Sequence, residues 1–407
     1  MLSKLFPKVH RQYEKSPFAA DLEAFSIWLI ETGYSRKSTC RHVFRLRNTL
    51  EHSNDIVPGT SMSEVQLESV FTSSQLPALY RATQRVFIQF LKNRGRLIPK
   101  APDGRFTPLL NDYREYLHAQ RGFADSTIQQ HLSTVRDFLG DAISEAKILY
   151  ELSSDAIECY IQRRSQDVTR QTMQHIVARL RAFLRYCHLR DIVPLGLEAI
   201  DTPRVYRDEL PPRALDWKVV RALLASIDRT SPGGWRDYTI LHLMAYYGLR
   251  PSEVADLELN SINWEAKTLT VEQRKTRSTL VLPLTDRTVR LLKRYLREGR
   301  PPKANPALFL RIRSPVGRLQ HYGVVDIYQK RSRLSGLPLQ GTSSYALRHA
   351  FAMRLLHRGV GVKAIGDLLG HHSLESTCVY LRLDIESLRH VALPVPSASL
   401  GEGGQND

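Results

Sequence analysis

The chain contains no run of about eighteen apolar residues, so no segment is expected to cross a membrane as a helix. Its first residues, Met1-Leu2-Ser3-Lys4-Leu5-Phe6-Pro7, lack the long apolar core of a secretory signal. Cysteine is scarce: four occur, at Cys40, Cys159, Cys187 and Cys378, none in a Cys-x-x-Cys spacing. That scatter argues against a zinc site and a disulfide framework, and it predicts reduced thiols in a cytosolic protein. Acidic residues are in deficit. Asp and Glu total 41 against 58 Lys and Arg, giving a net charge of +17. An excess of this size implies a polyanionic partner, because each phosphate neutralised releases counterions and adds affinity. Apolar side chains are not in deficit: at 42% they suffice for ordinary cores and exclude a disordered chain. The 407 residues exceed one ordinary domain, and two or three are expected.

Two stretches rich in proline break the chain, one from Pro99 to Gly104 and one from Asp201 to Arg213. They predict helical segments at about 1–100 and 106–205, a third domain over 214–393 and a disordered tail over 394–407. The first two segments read as diverged repeats. Gly33-Tyr34-Ser35 matches Gly122-Phe123-Ala124, His42 matches His131, Leu46 matches Val135 and Leu50 matches Leu139, all 89 positions apart. In the second segment Ile128, His131, Leu132, Val135, Phe138 and Leu139 follow a 3.6-residue period, with Asp125 or Ser126 as the expected cap. Another helix carries Ile176, Leu180, Phe183 and Leu184, with Arg170, Arg179, Arg181 and Arg185 on its polar positions, as solvated arginines or phosphate contacts. The third segment mixes the two periods. Trp217, Val220, Leu223, Leu224 and Ile227 predict an amphipathic helix. Thr268–Val271 and Thr279–Leu282 predict a hairpin with a basic tip, followed by helices at roughly 286–298, 323–333, 344–358, 362–369 and 374–383.

Chemistry concentrates in this third segment. Arg250 lies between Gly248-Leu249 and Pro251-Ser252-Glu253, at a turn that opens a helix, with Glu253 one turn away to hold its guanidinium. Lys275 sits at the hairpin tip, where a lysine of lowered pKa can donate a proton to a leaving alkoxide. Ser343 or Ser344 is placed to cap the helix that carries Tyr345 and Arg348, three apart and on one face. The positive end of that helix favours anions. His371 follows Gly370, an expected helix terminus, and Tyr380 stands nine residues further on. Each residue alone reads as surface or core. Together, two arginines, a lysine, a histidine and a tyrosine suit phosphoryl transfer to a tyrosine nucleophile, and the net charge makes DNA the expected phosphodiester.

The blocks Gly248-Leu249-Arg250 with Glu253, Leu347-Arg348-His349 with Phe351-Ala352, and Leu369-Gly370-His371 followed by Tyr380 resemble the tyrosine recombinase family of phage integrases and of the recombinases of transposons and chromosome-dimer resolution. The resemblance is strong over about 214–390 and weaker over 106–205. It implies a mainly α fold with a small antiparallel β-sheet: a tyrosine-recombinase catalytic domain preceded by two helical, core-binding-like (SAM-like) domains. It implies catalytic roles for Arg250, Lys275, Tyr345, Arg348, His371 and Tyr380, with no cofactor and no metal. The implied partners are double-stranded DNA recombination sites and further subunits of the same or a related recombinase, four acting on two duplexes, and no membrane. A bacterial, nucleoid-associated protein of a mobile element is expected. One position departs from the family: Tyr345 stands where histidine is usual, and a phenol is the poorer base at neutral pH. Two other readings are a catalytically impaired DNA-binding protein of the same fold and a type IB topoisomerase-like enzyme.

Overall fold

Helices dominate the computed structural model, which describes residues 1–53, 56–72, 78–98, 104–143, 149–202, 214–273, 278–313, 315–371, 373 and 375–381. Most of both proline-rich breaks, the hairpin segment with Lys275 and the expected tail lie outside the described residues. The chain packs as two units, one of Met1–His52 with Leu210–Asp407 and one of Ser53–Glu209.

The first unit opens with α1 (Leu2–Leu5), α2 (His10–Glu14), α3 (Ala19–Glu31) and α4 (Arg36–Glu51). Phe25 and Leu29 of α3 and Val43, Leu46 and Leu50 of α4 are buried. Ser35 caps α4 by accepting the Ser38 N–H.

The second unit begins with a short parallel pair, β1 (Met62–Ser63) and β2 (Leu97–Ile98), which encloses α5 (Glu64–Thr72) and α6 (Ala78–Asn93). It continues through α7 (Thr107–Glu115), α8 (Asp125–Ala142), α9 (Ser154–Asp167) and α10 (Arg170–His188). The periodic positions of α8 and α10 face one core with Tyr113 and Tyr160. Helix α8 starts 89 positions after α4, as the repeat predicts. Its cap differs from expectation. Ala124 occupies the N-cap, and Asp125 lies in the first turn, where its carboxylate faces the positive helix end. Two of the four arginines of α10 are committed internally. Arg179 donates to Gln130 Oε1 at 2.5 Å, and Arg181 donates to the Ile200 carbonyl. Arg170 and Arg185 are exposed.

The rest of the first unit contains the expected mixture. Helices α11 (Trp217–Ala225), α12 (Pro232–Tyr247) and α13 (Pro251–Asp256) precede β3 (Ile262–Asn263), β4 (Thr268–Gln273) and β5 (Ser278–Pro283), an antiparallel sheet in that order. Leu269 pairs with Leu282, Val271 with Leu280 and Gln273 with Ser278. Helices α14 (Asp286–Arg294), α15 (His321–Leu334), α16 (Tyr345–Leu356), α17 (Val362–Leu369) and α18 (Glu375–Cys378) follow. Helix α12 is buried on nearly every side, which marks it as the central helix. Its one buried carboxylate, Asp237, is paired with Arg236 and with Arg331 of α15, each at 2.7 Å. Helix α16 is held to α11 and α12 by Arg354, whose guanidinium lies 4.0 Å over the Trp217 ring and 5.2 Å over Tyr246. From the first turns of α16, Arg348 reaches the end of α12 at Gly248 and the end of α17 at Leu369.

Candidate active site

Helix α12 stops at Gly248, whose φ of 66° lies in the left-handed region. A side chain there is excluded twice, because a Cβ would also lie 2.6 Å from a Phe351 ring carbon and 2.7 Å from a Leu369 methyl. The tight turn places Arg250 at the N-cap of α13 with an extended backbone. Glu253 closes a capping box on it, accepting the Arg250 N–H at 2.8 Å and its Nη1 at 2.5 Å. The Glu253 carboxylate is itself buried, so this pair fixes the guanidinium as the sequence predicts.

Arg348 projects from α16 and is 4% exposed. Its Nη1 donates to the Gly248 carbonyl and its Nη2 to the Leu369 carbonyl, each at 2.6 Å. Those two bonds satisfy the left-handed end of α12 and the end of α17 at once. Burial and the neighbouring Arg250 charge pull the Arg348 pKa down to about 10, against the opposing pull of Glu253. The side chain therefore stays cationic at neutral pH. A guanidinium has five N–H donors, so three remain for an anion.

Helix α17 ends at Gly370, φ 63°, where a Cβ would fall 1.9 Å from Gln273 Oε1. Gln273, the last residue of β4, donates in turn to the Leu369 carbonyl at 3.4 Å. The root of the hairpin that bears Lys275 is thus tied to the α17 terminus, while Lys275 itself lies outside the described residues. His371 follows, with Nδ1 2.8 Å from Thr377 Oγ1. Burial, then the charges of Arg348 and Arg250, lower its pKa to about 4. The imidazole is neutral at pH 7, and in the tautomer in which Nδ1 accepts from Thr377 its Nε2–H is left to donate.

Tyr380 lies just beyond α18, packed against Phe351, Met353, Ile365 and Leu369 and 3% exposed. Burial raises its pKa, while Arg348 and Arg250 pull it down. Its hydroxyl lies 3.1 Å from His349 Nδ1. The structure therefore gathers Arg250, Arg348, His371 and Tyr380 around one point. Tyr345 is different: it opens α16 and is half-exposed, with its phenol near enough to act on the Arg348 charge. Ser344 holds the N-cap position without a capping bond, because its own backbone is helical and does not turn the hydroxyl back.

Three residues of this pocket were not assigned a role from sequence: His349, Thr377 and Gln273. His349 is adjacent to Arg348, and its neighbour's stronger signal masks it. Thr377 and Gln273 carry no spacing signal, since their partners are set by packing.

The chain is similar in sequence and in fold to known proteins. The phage integrase family matches residues 213–386, and the phage integrase N-terminal SAM-like domain matches residues 110–190. A Sinorhizobium fredii protein carrying the name integrase/recombinase y4rA is 28% identical over 395 residues, covering 94% of this chain and 95% of that one. Tyrosine recombinase XerD of Xanthomonas axonopodis pv. citri is 32% identical over 284 residues, 64% of this chain and 88% of its own. In fold, the chain is similar to a lambda integrase tetramer bound to a Holliday junction, with a TM-score of 0.52 and 17% identity over 72% of this chain and 88% of that one.

Proposed function

Since this chain belongs to the phage integrase family, the tyrosine-type site-specific DNA recombinases, we propose that Tyr380 is its nucleophile and that Arg250, Arg348 and His371 cradle the attacked phosphate. The observation that supports this assignment is the convergence of one buried tyrosine hydroxyl, two fixed guanidinium groups and a neutral imidazole. In this reading Tyr380 Oη forms a bond to phosphorus, the bond to the 5′ oxygen breaks, and a 3′-phosphotyrosyl link remains. The two arginines and His371 Nε2–H hold the charge that builds on the non-bridging oxygens. Lys275, at the end of the hairpin rooted by Gln273, protonates the departing 5′ oxygen. The 5′ hydroxyl of a partner strand reverses the steps. One phosphodiester replaces another through the covalent link, so the bond energy is conserved without ATP.

The wider setting belongs to the same reading. The protein acts as a tetramer on two duplexes, alone or with related subunits, in the nucleoid of a bacterial cell and on behalf of a mobile element. Residues 106–205 clamp the core site. Residues 1–100 supply a further DNA or subunit contact; the likeness to y4rA extends well beyond the two matched domains and supports a shared role for this segment. Among the described residues no helix is long and apolar enough to cross a membrane.

The test is covalent capture. The full chain is allowed to select its preferred duplex from a randomised pool, and that duplex is then nicked beside the cleavage position so that the leaving fragment diffuses away. A protease-sensitive DNA adduct is the expected product. Binding without any adduct points to a DNA-binding protein of the same fold, and relaxation of supercoils regardless of sequence points to a topoisomerase.

Tyr345 is assigned a hydrogen bond to the phosphate from the α16 N-terminus. Single-turnover cleavage should then fall in Tyr345→Phe, which loses only the hydroxyl, and be retained in Tyr345→His. Equal rates for all three proteins exclude chemistry at this position.

A further inference from the structure

Tyr380 is buried, and its phenol is a weak acid whose pKa burial raises further. Attack on a phosphate at neutral pH therefore requires a group that takes the phenolic proton. Among the described residues the pocket narrows the choice. Arg250 and Arg348 have no acceptor atom. Glu253 spends both oxygens on Arg250, with Oε2 also 4.0 Å from Arg348. His371 has Nδ1 turned to Thr377, and its other nitrogen is the one assigned to the phosphate. Tyr345 is half-exposed and carries a phenol, which offers no acceptor nitrogen or carboxylate for the proton.

His349 answers the requirement by position. It stands one residue after Arg348 on α16, partly buried, with its ring tilted against Tyr380 at a centroid separation of 5.7 Å. Its Nδ1 lies 3.1 Å from the phenolic oxygen, within reach for direct proton transfer. Resting on the assignment of Tyr380 as nucleophile, we propose that His349 is a catalytic residue, the proton acceptor that activates Tyr380. In the tautomer with hydrogen on Nε2, Nδ1 accepts the Tyr380 O–H. As Oη bonds to phosphorus the proton passes to Nδ1, giving an imidazolium, while the 5′ oxygen leaves with a proton from Lys275. On rejoining, the imidazolium returns the proton to Tyr380 as the phosphotyrosyl bond breaks. Burial and the adjacent Arg348 hold the His349 pKa below the ordinary 6.5, so the ring is neutral and ready to accept at pH 7. This supplies a base in a site where tyrosine occupies position 345.

The test measures single-turnover cleavage of the selected, nicked duplex by full-length wild type, His349→Ala, His349→Gln and Tyr380→Phe, with DNA affinity and thermal unfolding measured on each. A lost general base predicts a fall of about 10²-fold or more in both His349 variants, with affinity within about threefold of wild type. Glutamine keeps an acceptor of similar reach but cannot take a proton, so it is expected to stay low. Added imidazole is expected to raise the rate of His349→Ala in proportion to its concentration and to leave His349→Gln unchanged. Cleavage near the wild-type rate in either variant overturns the proposal. A loss that imidazole does not relieve overturns proton acceptance and leaves His349 a positioning residue. An adduct formed by Tyr380→Phe is a separate failure, because it removes the nucleophile assignment whatever His349 does.

Discussion

Tyr380→Phe is expected to abolish covalent capture of DNA while leaving DNA affinity unchanged. The substitution removes one oxygen from a side chain that is otherwise packed among Phe351, Met353, Ile365 and Leu369, so the apolar surroundings are kept. The lost hydrogen bond to His349 costs about 1 kcal/mol of stability, within reach of a urea titration but too little to unfold the domain. Binding is expected from the chain's net charge of +17 and is not carried by this buried hydroxyl. The measurement is the adduct band on a nicked duplex, read before and after protease. A surviving adduct would assign the nucleophile elsewhere, and loss of binding together with cleavage would mean that the hydroxyl, through its contact with His349, holds the pocket in shape.

Arg348→Ala is expected to lower cleavage by about 10²–10³-fold, the usual cost of removing one donor to a developing oxyanion. It should also destabilise the protein, and by more than the Tyr380 variant. The guanidinium bridges the carbonyls of Gly248 and Leu369, and both lose a charged donor on truncation. A buried acceptor left without a partner costs about 1–3 kcal/mol, and of the two only the Leu369 carbonyl keeps another side-chain donor, Gln273 at 3.4 Å. Glu253 loses a second cation 4.0 Å away and keeps Arg250 alone. Arg348→Lys separates the two effects. An ammonium restores charge but lacks the planar fork that reaches two carbonyls and a phosphate together, so part of the stability returns and little of the rate. Urea midpoints and single-turnover rates on the two variants check this. Cleavage by Arg348→Ala near the wild-type rate takes the residue out of the cradle and leaves it a structural clamp between α12 and α17.

Much of this site was legible because its signals are local. Gly248 before Leu249-Arg250-Pro251 reads as a helix end followed at once by a helix start, and the backbone adopts that turn with Glu253 closing the cap. Gly370 before His371 likewise reads as a helix end, and α17 stops there. Alternation in Thr268–Val271 and Thr279–Leu282 is enough to pair two strands and to put a basic segment between them. The net charge of +17 names a polyanion as partner without any coordinates. Turns, caps and strand alternation are set by neighbours along the chain, whose φ/ψ preferences and side-chain reach are written in the sequence itself.

The partners inside the pocket were decided by tertiary structure. Arg348 meets the Gly248 carbonyl across 100 residues, and Gln273 meets Leu369 across 96. Every residue carries a carbonyl, so no sequence feature says which one is turned inward. The same holds for the tyrosine. Position 345 drew attention because it departs from the family, yet the folded chain leaves it half-exposed and brings His349 to the Tyr380 hydroxyl. On α16 these two residues are four apart and share a face, so helical spacing does not separate the half-exposed one from the one within. The distinction comes from how α16 is seated on α11 and α12 and from where the turn after α18 delivers Tyr380. That seating is set by apolar burial summed over many distant residues, which local sequence does not encode.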